Sequence, residues 1–546
     1  MDIHVPQRGL LTCRGAADAE VPHHAPPREV DLDELTKHAA TVTRRDVLQA
    51  VAEAHGDGAA SVAELEAKAD EILGSREIVR ILDPTETRYT TERQLRLERG
   101  LLDSAEFRRD QQVAVADPTE TERALGKRSL SDEQADAVRE LTSSGHGVAV
   151  LRAPAGAGKT FALDAAREGW QRSGQEVVGC ALSAQAAREL REQAGIETTT
   201  IADLKNRLHH GYRLPEDGVL IVDEAGMVGT RDLATLDVWA RHTDTKLLLV
   251  GDDKQLPEIE AGGAFRAIAK RTDTVELTQV HRQRNEWDRD ALNALRDGKA
   301  ADWAAAYIER ARVKTADNAP AVREQLANDW WQAKGTGVDA RMIAMRRADV
   351  ADLNARARNK MRDAGRLGPD IDYDGKAFAS GDEIVVAKND RRLGVTNGDR
   401  GRVVDAADTH LDIELDRGDE LRLPRTFVAD RHVDHGYAAT AHKVQGATVD
   451  QAFVLGSQEA YREWGYAALS RHRDESTYYL TEPKDFINRD DAHTLDDPEQ
   501  LALELEQNLA DSRRQELAIE LEERYGPKPP PPPPEPDLDL GMDFGM

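Results

Sequence analysis

The sequence predicts an α/β protein with doubly wound parallel sheets, and three observations carry this. Between residues 131 and 278, short apolar runs (GVAVLRA, EVVGCAL, GVLIVDEA and TKLLLVGD) alternate with helical segments. Unbroken apolar runs of that length read as strands buried on both faces, and strand–helix alternation sets them parallel in one sheet. The pattern resumes at ARMIAMRRADVADLNARAR and again at GYAATAHKVQGATVDQAFVL and STYYLTE. Finally, the first strand runs into a glycine-rich loop, LRAPAGAGKT, followed by a helix, FALDAAREGWQ.

Taken in order, residues 1–30 are punctuated by Pro and Gly and are expected to be poorly ordered. An accessory domain is expected over 31–125. It opens with helices TRRDVLQAVAEAHG and SVAELEAKADEILGS, each behind a Ser or Thr cap. A short two-stranded wing, IVRILDPTETRYTT, and a helix, ERQLRLERGLLDSAEF, follow; a plain helical adaptor is the alternative. The first parallel-sheet domain is placed at 126–280 and the second at 281–376 and 428–490. Between its two parts, residues 377–427 change character. GDEIVVAKND, GVTNGDRGRVVDA and LDIELDRGDELRLP carry short alternating strands and close turn signals at Asn397-Gly398 and Arg417-Gly418, the pattern of a small β-barrel insert. An acidic helix is expected over 491–526, then a polyproline and acidic tail over 527–546.

The chain has 546 residues and a formal charge of −28, which argues against a globally basic nucleic-acid binder. From Asp496 onward there are 14 Asp/Glu against 4 Lys/Arg, so part of that charge sits in the tail. Phosphate contacts act locally, and an acidic chain can still bind nucleic acid through one groove. Two cysteines, Cys13 and Cys180, exclude a disulfide scaffold and fit a reducing compartment. With no run of about 18 apolar residues and no signal-peptide pattern, a cytoplasmic protein without membrane contact is expected.

LRAPAGAGKT has the setting that phosphate binding needs: strand, loop, helix N-terminus. Ala153, Pro154, Ala155, Gly156, Ala157 and Gly158 form the loop. Ala153 stands where a glycine is usual, and is small enough not to block backbone approach. Lys159 would reach the β- and γ-phosphates of ATP, and Thr160 would ligate Mg²⁺. VLIVDEAGMV supplies the carboxylates, with Asp223 in the Mg²⁺ shell and Glu224 polarising an attacking water. From LLLVGDDKQLPEIEAGGAF, Gln255 is placed to sense the γ-phosphate.

Quoted in order, LSDEQADAV, APAGAGKT, IVDEAG, GDDKQLP, LTQVHRQ, ATAHKVQGATVD and ALSRHRDE resemble the motif series of superfamily 1 DNA helicases over about 350 residues. The set is most similar to the RecD-like branch, and within it to the helicase portion of MobF-type conjugative relaxases (TraA, TrwC and TraI). The resemblance implies two RecA-like domains and an SH3-like insert. It makes Gln134 the adenine-reading glutamine, and Arg282 and Arg471 arginine fingers from the second domain. Charge developing on the γ-phosphoryl oxygens gives such fingers their chemistry. It also implies contacts to single-stranded DNA from Ser183 and Thr200 on the first domain and from Thr440, His442 and Lys443 on the second, with movement 5′ to 3′. For each hydroxyl a helix-cap or strand-end role is the alternative, and for His442 a place in the core.

Those relaxases begin with a nuclease domain bearing a tyrosine and a histidine triad. No triad is visible, His23-His24 lie in a Pro-rich stretch, and no tyrosine precedes Tyr89, so nicking is not expected. PKPPPPPPEP reads as a polyproline II spacer. The following DLDLGMDFGM is either a docking peptide, for a relaxase or another transfer or repair protein, or a solubilising tail. The functional expectation is an ATP-dependent DNA helicase or translocase, acting at single-stranded DNA and junctions and linked to conjugative transfer. A RecD-like repair helicase and a DNA-stimulated ATPase switch without unwinding are the alternatives.

Overall fold

The computed structural model describes residues 29–55, 61–258, 260–481 and 498–526. Cys13, His23-His24 and the tail over 527–546 lie outside them. Ser61 and Glu64 close a reciprocal capping box at the start of helix Val62–Leu73, which packs with helix Arg44–His55 through Val47, Val51 and Ala69. Strands Ile78–Leu82 and Thr87–Thr91 form the expected antiparallel wing. A two-residue strand, Val42–Thr43, joins its other edge, a piece too short to leave a periodic signal.

Helix Glu92–Phe107 does not stay with the wing. Leu95, Leu101, Leu102 and Ala105 share a core with Leu233, Leu236 and Phe265 beneath the first large sheet. Ser104 Oγ and the Arg108 guanidinium both donate to the buried carboxylate of Asp237, at 2.9 and 3.3 Å. Helix Pro118–Leu125 likewise buries Leu125 with the sheet's other face. The unit expected over 31–125 thus gives its last two helices to the core of its neighbour.

The first sheet has six parallel strands in the order Glu197–Thr200, Val177–Ala181, Val219–Asp223, Lys246–Gly251, Val148–Arg152 and Thr274–Glu276. Its four inner strands are the apolar runs, and burial on both faces explains their lack of alternation. The second sheet has five parallel strands, ordered Val313–Ala316, His472–Thr481, Val449–Leu455, Ala340–Ala344 and Ala438–Thr440. Cores on its two faces are built around Trp303, Tyr307 and Trp464 and around Trp330 and Tyr437.

The insert is an antiparallel sheet of its own, ordered Glu420–Pro424, His410–Leu415, Arg400–Ala407, Glu383–Val386 and Val433–His435. Ile384, Val403, Ile413, Leu423 and Phe378 fill its interior. It extends beyond the expected 377–427 at both ends, because Val433–His435 closes the sheet and a separate hairpin, Ile371–Asp372/Ala377–Phe378, packs Tyr373 and Phe378 into its core. Arg188 pairs with Asp399 at 2.7 Å and Arg391 with Asp203 at 2.6 Å, tying this sheet to the first domain.

The single acidic helix expected over 491–526 is corrected to two, Pro498–Ala510 and Ala518–Tyr525. The first buries Leu505 and Leu509 in the second domain. The second helix, with Leu517 at its cap, buries Ala518 and Ile519 in the first domain. Between them the helical backbone pattern gives way to tertiary bonds. Ser512 Oγ and Arg513 N donate to the buried Glu463 carboxylate at 2.7 and 3.1 Å. Gln515 exchanges bonds with Gly262 N (2.9 Å) and Glu258 O (3.1 Å). Residues 511–517 therefore strap one domain to the other. Among the described residues, no helix is long and apolar enough to cross a membrane.

Candidate functional site

Strand Val148–Arg152 delivers the loop over residues 153–158 to the start of helix Lys159–Arg172. Gly158 is the left-handed N-cap (φ 77°), and Gly156 is also left-handed (φ 87°). A side chain at Gly158 would crowd the end of the Gln134 side chain, and the left-handed backbone is what favours glycine there. Ala153 is 2% exposed and donates its N–H to Gly251 O at 2.9 Å. Its methyl is buried, so the missing glycine costs the loop nothing.

Asp223 ends strand Val219–Asp223, and Glu224 follows in the left-handed region at φ 53°. That strained turn is held by Asp223 Oδ1 accepting Glu224 N at 2.9 Å. Lys159 Nζ donates to Asp223 Oδ1 at 2.8 Å and Glu224 Oε1 at 2.6 Å. Burial opposes the Lys159 charge, but the two carboxylates outweigh it and raise its pKa. For Asp223 burial dominates and lifts the carboxyl. For Glu224 burial acts in the same sense but is overridden by the Lys159 ammonium, and its pKa is lowered.

From the second domain, Arg282 donates Nη1 to Ser470 O at 3.0 Å. Arg471 is 2% exposed and bonds Ala467 O at 2.7 Å and Ser470 Oγ at 3.1 Å. Burial, and then the neighbouring charge of Arg471, push Arg282 down to about 9. Two guanidiniums held close together out of water call for an anion between them. Both line the cleft, about 520 Å³ in volume, that also holds Lys159, Thr160, Asp223, Glu224 and Gln255.

Residues 129–318 match a family model described as an AAA domain. The chain is 35% identical over 466 residues to the conjugal transfer protein TraA of Rhizobium radiobacter, covering 82% of this chain and 42% of that protein. A probable TraA of Sinorhizobium fredii is 37% identical over 401 residues, 72% of this chain and 36% of the relative. The ATP-dependent RecD2 DNA helicase of Deinococcus radiodurans is 31% identical over 363 residues, 64% and 48% of the two chains. The chain thus spans less than half the length of these relatives. Among solved structures, the Pif1 helicase of Bacteroides in complex with ADP-AlF3 and single-stranded DNA aligns at 19% identity with a TM-score of 0.47, over 73% of this chain and 97% of that one.

The chain is similar to TraA conjugal transfer proteins and to a RecD2 DNA helicase. Ser183, His442 and Lys443 line the same cleft as Lys159, as do Ala153, Pro154, Ala155, Gly156 and Gly158. Ser183 also caps helix Ala184–Ala194, accepting Ala186 N at 3.1 Å, and Thr200 caps helix Ile201–His209, accepting Asp203 N at 3.2 Å. Thr200 and Thr440 lie outside the lining. Thr440 ends its strand, and its carbonyl accepts Lys443 N at 2.9 Å. His442 is exposed, so the alternative that placed it in the core is corrected.

Gln134 packs against the back of the phosphate loop. Its Oε1 accepts Ser131 N at 3.1 Å and its Nε2 donates to Ala157 O at 3.0 Å. These two bonds hold the loop from behind and leave the amide one N–H and one oxygen lone pair for a base. The Ser-x-x-Gln spacing of a capping box was the available signal.

The sequence reading also passed over groups. Glu189 presses against Gly446 in the cleft, with its carboxyl pushed up by burial. Asn397-Gly398 brings the insert to the same wall. Arg296 of the second domain grips the fully buried Asp252 in two-pronged fashion, at 3.0 and 3.2 Å, three residues before Gln255. Asn397-Gly398 is marked locally only as a turn, and no local pattern marks Glu189 or Arg296, whose partners lie far away in the chain.

Proposed function

We propose that this chain is an ATP-dependent DNA helicase or translocase that moves along single-stranded DNA 5′ to 3′ and serves conjugative DNA transfer. The observation that carries the reading is the shared cleft. Lys159, Asp223 and Glu224 of one domain face Arg282 and Arg471 of the other across about 520 Å³. Hydrolysis that needs groups from both domains is tied to their closure, and closure and reopening are the elements of a stepping cycle. The similarity to TraA proteins supports the conjugative setting, and the similarity to RecD2 supports the motor.

The cradle fits a nucleotide triphosphate. Gly156 and Gly158 leave the loop's backbone open, and Lys159 would turn from the carboxylates to the β- and γ-phosphates. The Thr160 hydroxyl and Asp223 carboxylate are hard oxygen donors that fit Mg²⁺. The metal would supply positive charge against the β- and γ-oxygens. Glu224 would orient the attacking water and accept its proton, with Gln255 beside the γ-phosphate. Arg282 and Arg471 would meet the charge that develops there.

The antiparallel insert is assigned as SH3-like. With Ser183, His442 and Lys443 it would enclose the DNA strand, through sequence-independent backbone contacts.

The test is the ATPase rate of the purified chain with and without single-stranded DNA, alongside unwinding of 5′-tailed and 3′-tailed duplexes. Stimulation with 5′-tail unwinding is expected. Absence of stimulation would sink the motor reading. Stimulation without unwinding would select a translocase or switch, and a 3′-tail preference would overturn the direction.

A further inference from the structure

Between Arg282 and Arg471 lies a side chain assigned no role so far. Gln283 is 1% exposed, and its Nε2 donates to two carbonyls at once, Ser470 O at 3.2 Å and His472 O at 3.0 Å. Those carbonyls belong to the residues on either side of Arg471, so one amide brackets the backbone that carries that guanidinium. Arg282, the residue before Gln283, shares the Ser470 carbonyl. Arg284 N then bonds Arg473 O at 2.9 Å, continuing the pairing of the two segments.

A second group holds the other side of the bracket. His472 is fully buried; its Nδ1 meets Leu469 O at 2.7 Å and its Nε2 meets Asp288 Oδ2. Asp288 Oδ1 accepts the Tyr307 hydroxyl at 2.8 Å, and Tyr307 contacts Ser476 Oγ at 2.8 Å. Each polar group of this chain has a partner inside an apolar core, the condition under which buried networks hold one arrangement. On the opposite side, His281 N donates to Gly156 O at 2.9 Å, and a Cβ on Gly156 would lie 2.5 Å from Arg282 Cβ. The segment carrying Arg282 and Gln283 therefore touches the phosphate loop at one end and the Arg471 backbone at the other.

We propose that Gln283, backed by the Asp288–His472 pair, is a positioning residue that holds Arg282 and Arg471 in one register against the phosphate loop. The inference rests on the hydrolytic reading of the cleft. Two neighbouring guanidiniums repel, and without the bracket the two segments that carry them are free to move apart. A small displacement of a group that acts in the transition state costs rate far more than ground-state affinity.

The experiment uses the full chain with Gln283→Met, which keeps the volume and cannot donate. The expected result is a fall in kcat for ATP hydrolysis of roughly 10- to 100-fold, with KM for ATP, ADP affinity and far-UV circular dichroism unchanged. Affinity for ADP with aluminium fluoride should drop by a similar factor. In an Arg471→Ala background the same substitution should change kcat less than about threefold, since the group it positions is gone. Asp288→Asn, close in shape, is the second variant and should lower kcat in the same direction. A folded Gln283→Met or Asp288→Asn chain with wild-type kcat would overturn the proposal. So would equal losses in kcat and ADP affinity, or effects that multiply in the Arg471→Ala background. A wild-type chain that hydrolyses no ATP would sink the function reading, and this one with it. Wild-type turnover with unaffected variants would sink the positioning role alone.

Discussion

Lys159→Met removes one charge and most hydrogen-bonding capacity while keeping the length of the stem. In the intact chain the ammonium lies 2.8 Å from Asp223 Oδ1 and 2.6 Å from Glu224 Oε1, with the three side chains 22%, 8% and 18% exposed. Stripping one partner from a buried ionic group costs about 3–5 kcal/mol, because the remaining charges are left without compensation. Two adjacent carboxylates can reduce that penalty by taking up a proton. Burial lifts both carboxyls, and the ammonium that holds both down is gone from the variant, so the pair takes up the proton, with Asp223, already raised in the intact chain, its principal site.

Protonation gives the deficit a pH dependence with a definite sign. In the variant the folded pKa of Asp223 rises further above its unfolded value near 4. Between those two values the folded chain binds more protons than the unfolded one, so stability falls as pH rises, and it levels off above the folded value. The variant should therefore be closer to wild type at pH 5 than at pH 8, each unit of further shift being worth about 1.4 kcal/mol. Urea unfolding of both chains at pH 5, 6.5 and 8 reads the difference, and ATP turnover read in parallel should be abolished. A deficit independent of pH would refute the assignment of the ammonium as the counter-charge of a coupled acidic pair. Retained turnover would remove Lys159 from the chemistry.

Glu224→Gln should keep nucleotide affinity within about threefold and lower kcat by at least about 100-fold, the range for loss of a general base; isothermal titration against steady-state rates separates the two. Arg296→Ala strands the fully buried Asp252 carboxylate and should cost about 3–5 kcal/mol in urea unfolding, with Arg296→Lys a poor rescue because it cannot form the two-pronged contact. Glu98 accepts Gln94 Nε2 at 2.8 Å and Ile519 N at 2.9 Å, and burial pushes its carboxyl up to about 7. Its folded pKa lies above the unfolded one, so its protonated form stabilises the fold below pH 4.5, and that contribution is lost as pH rises through 7. Glu98→Gln should flatten the stability-against-pH curve in that window by on the order of 3 kcal/mol, and an unchanged slope would place the proton elsewhere.

What the sequence reveals about this chain divides along the distance between interacting residues. Val219–Asp223 and Lys246–Gly251 are legible because burial on both faces demands unbroken apolar runs. The outer strands Glu197–Thr200 and Thr274–Glu276 are not, because a short edge strand is half polar. Lys159, Asp223 and Glu224 declare themselves through strand–loop–helix context within a few residues. Gln283 does not, since an amide that bonds carbonyls nearly 190 positions away has no local signature. The same holds for Arg296, for Glu463 under the C-terminal strap, and for Arg188 and Arg391 against the insert. Arg296, Arg188 and Arg391 join one domain to another, Glu463 holds the strap between domains, and Gln283 joins two distant segments of the second domain. Chemistry within a domain can be read from short motifs, whereas coupling between domains is written in pairs that only folding brings together. Under the proposed stepping cycle such pairs set how hydrolysis becomes movement, so substitutions at Arg296 and Glu463 should change the coupling of DNA-stimulated ATP turnover to unwinding more than one at Ala153 would.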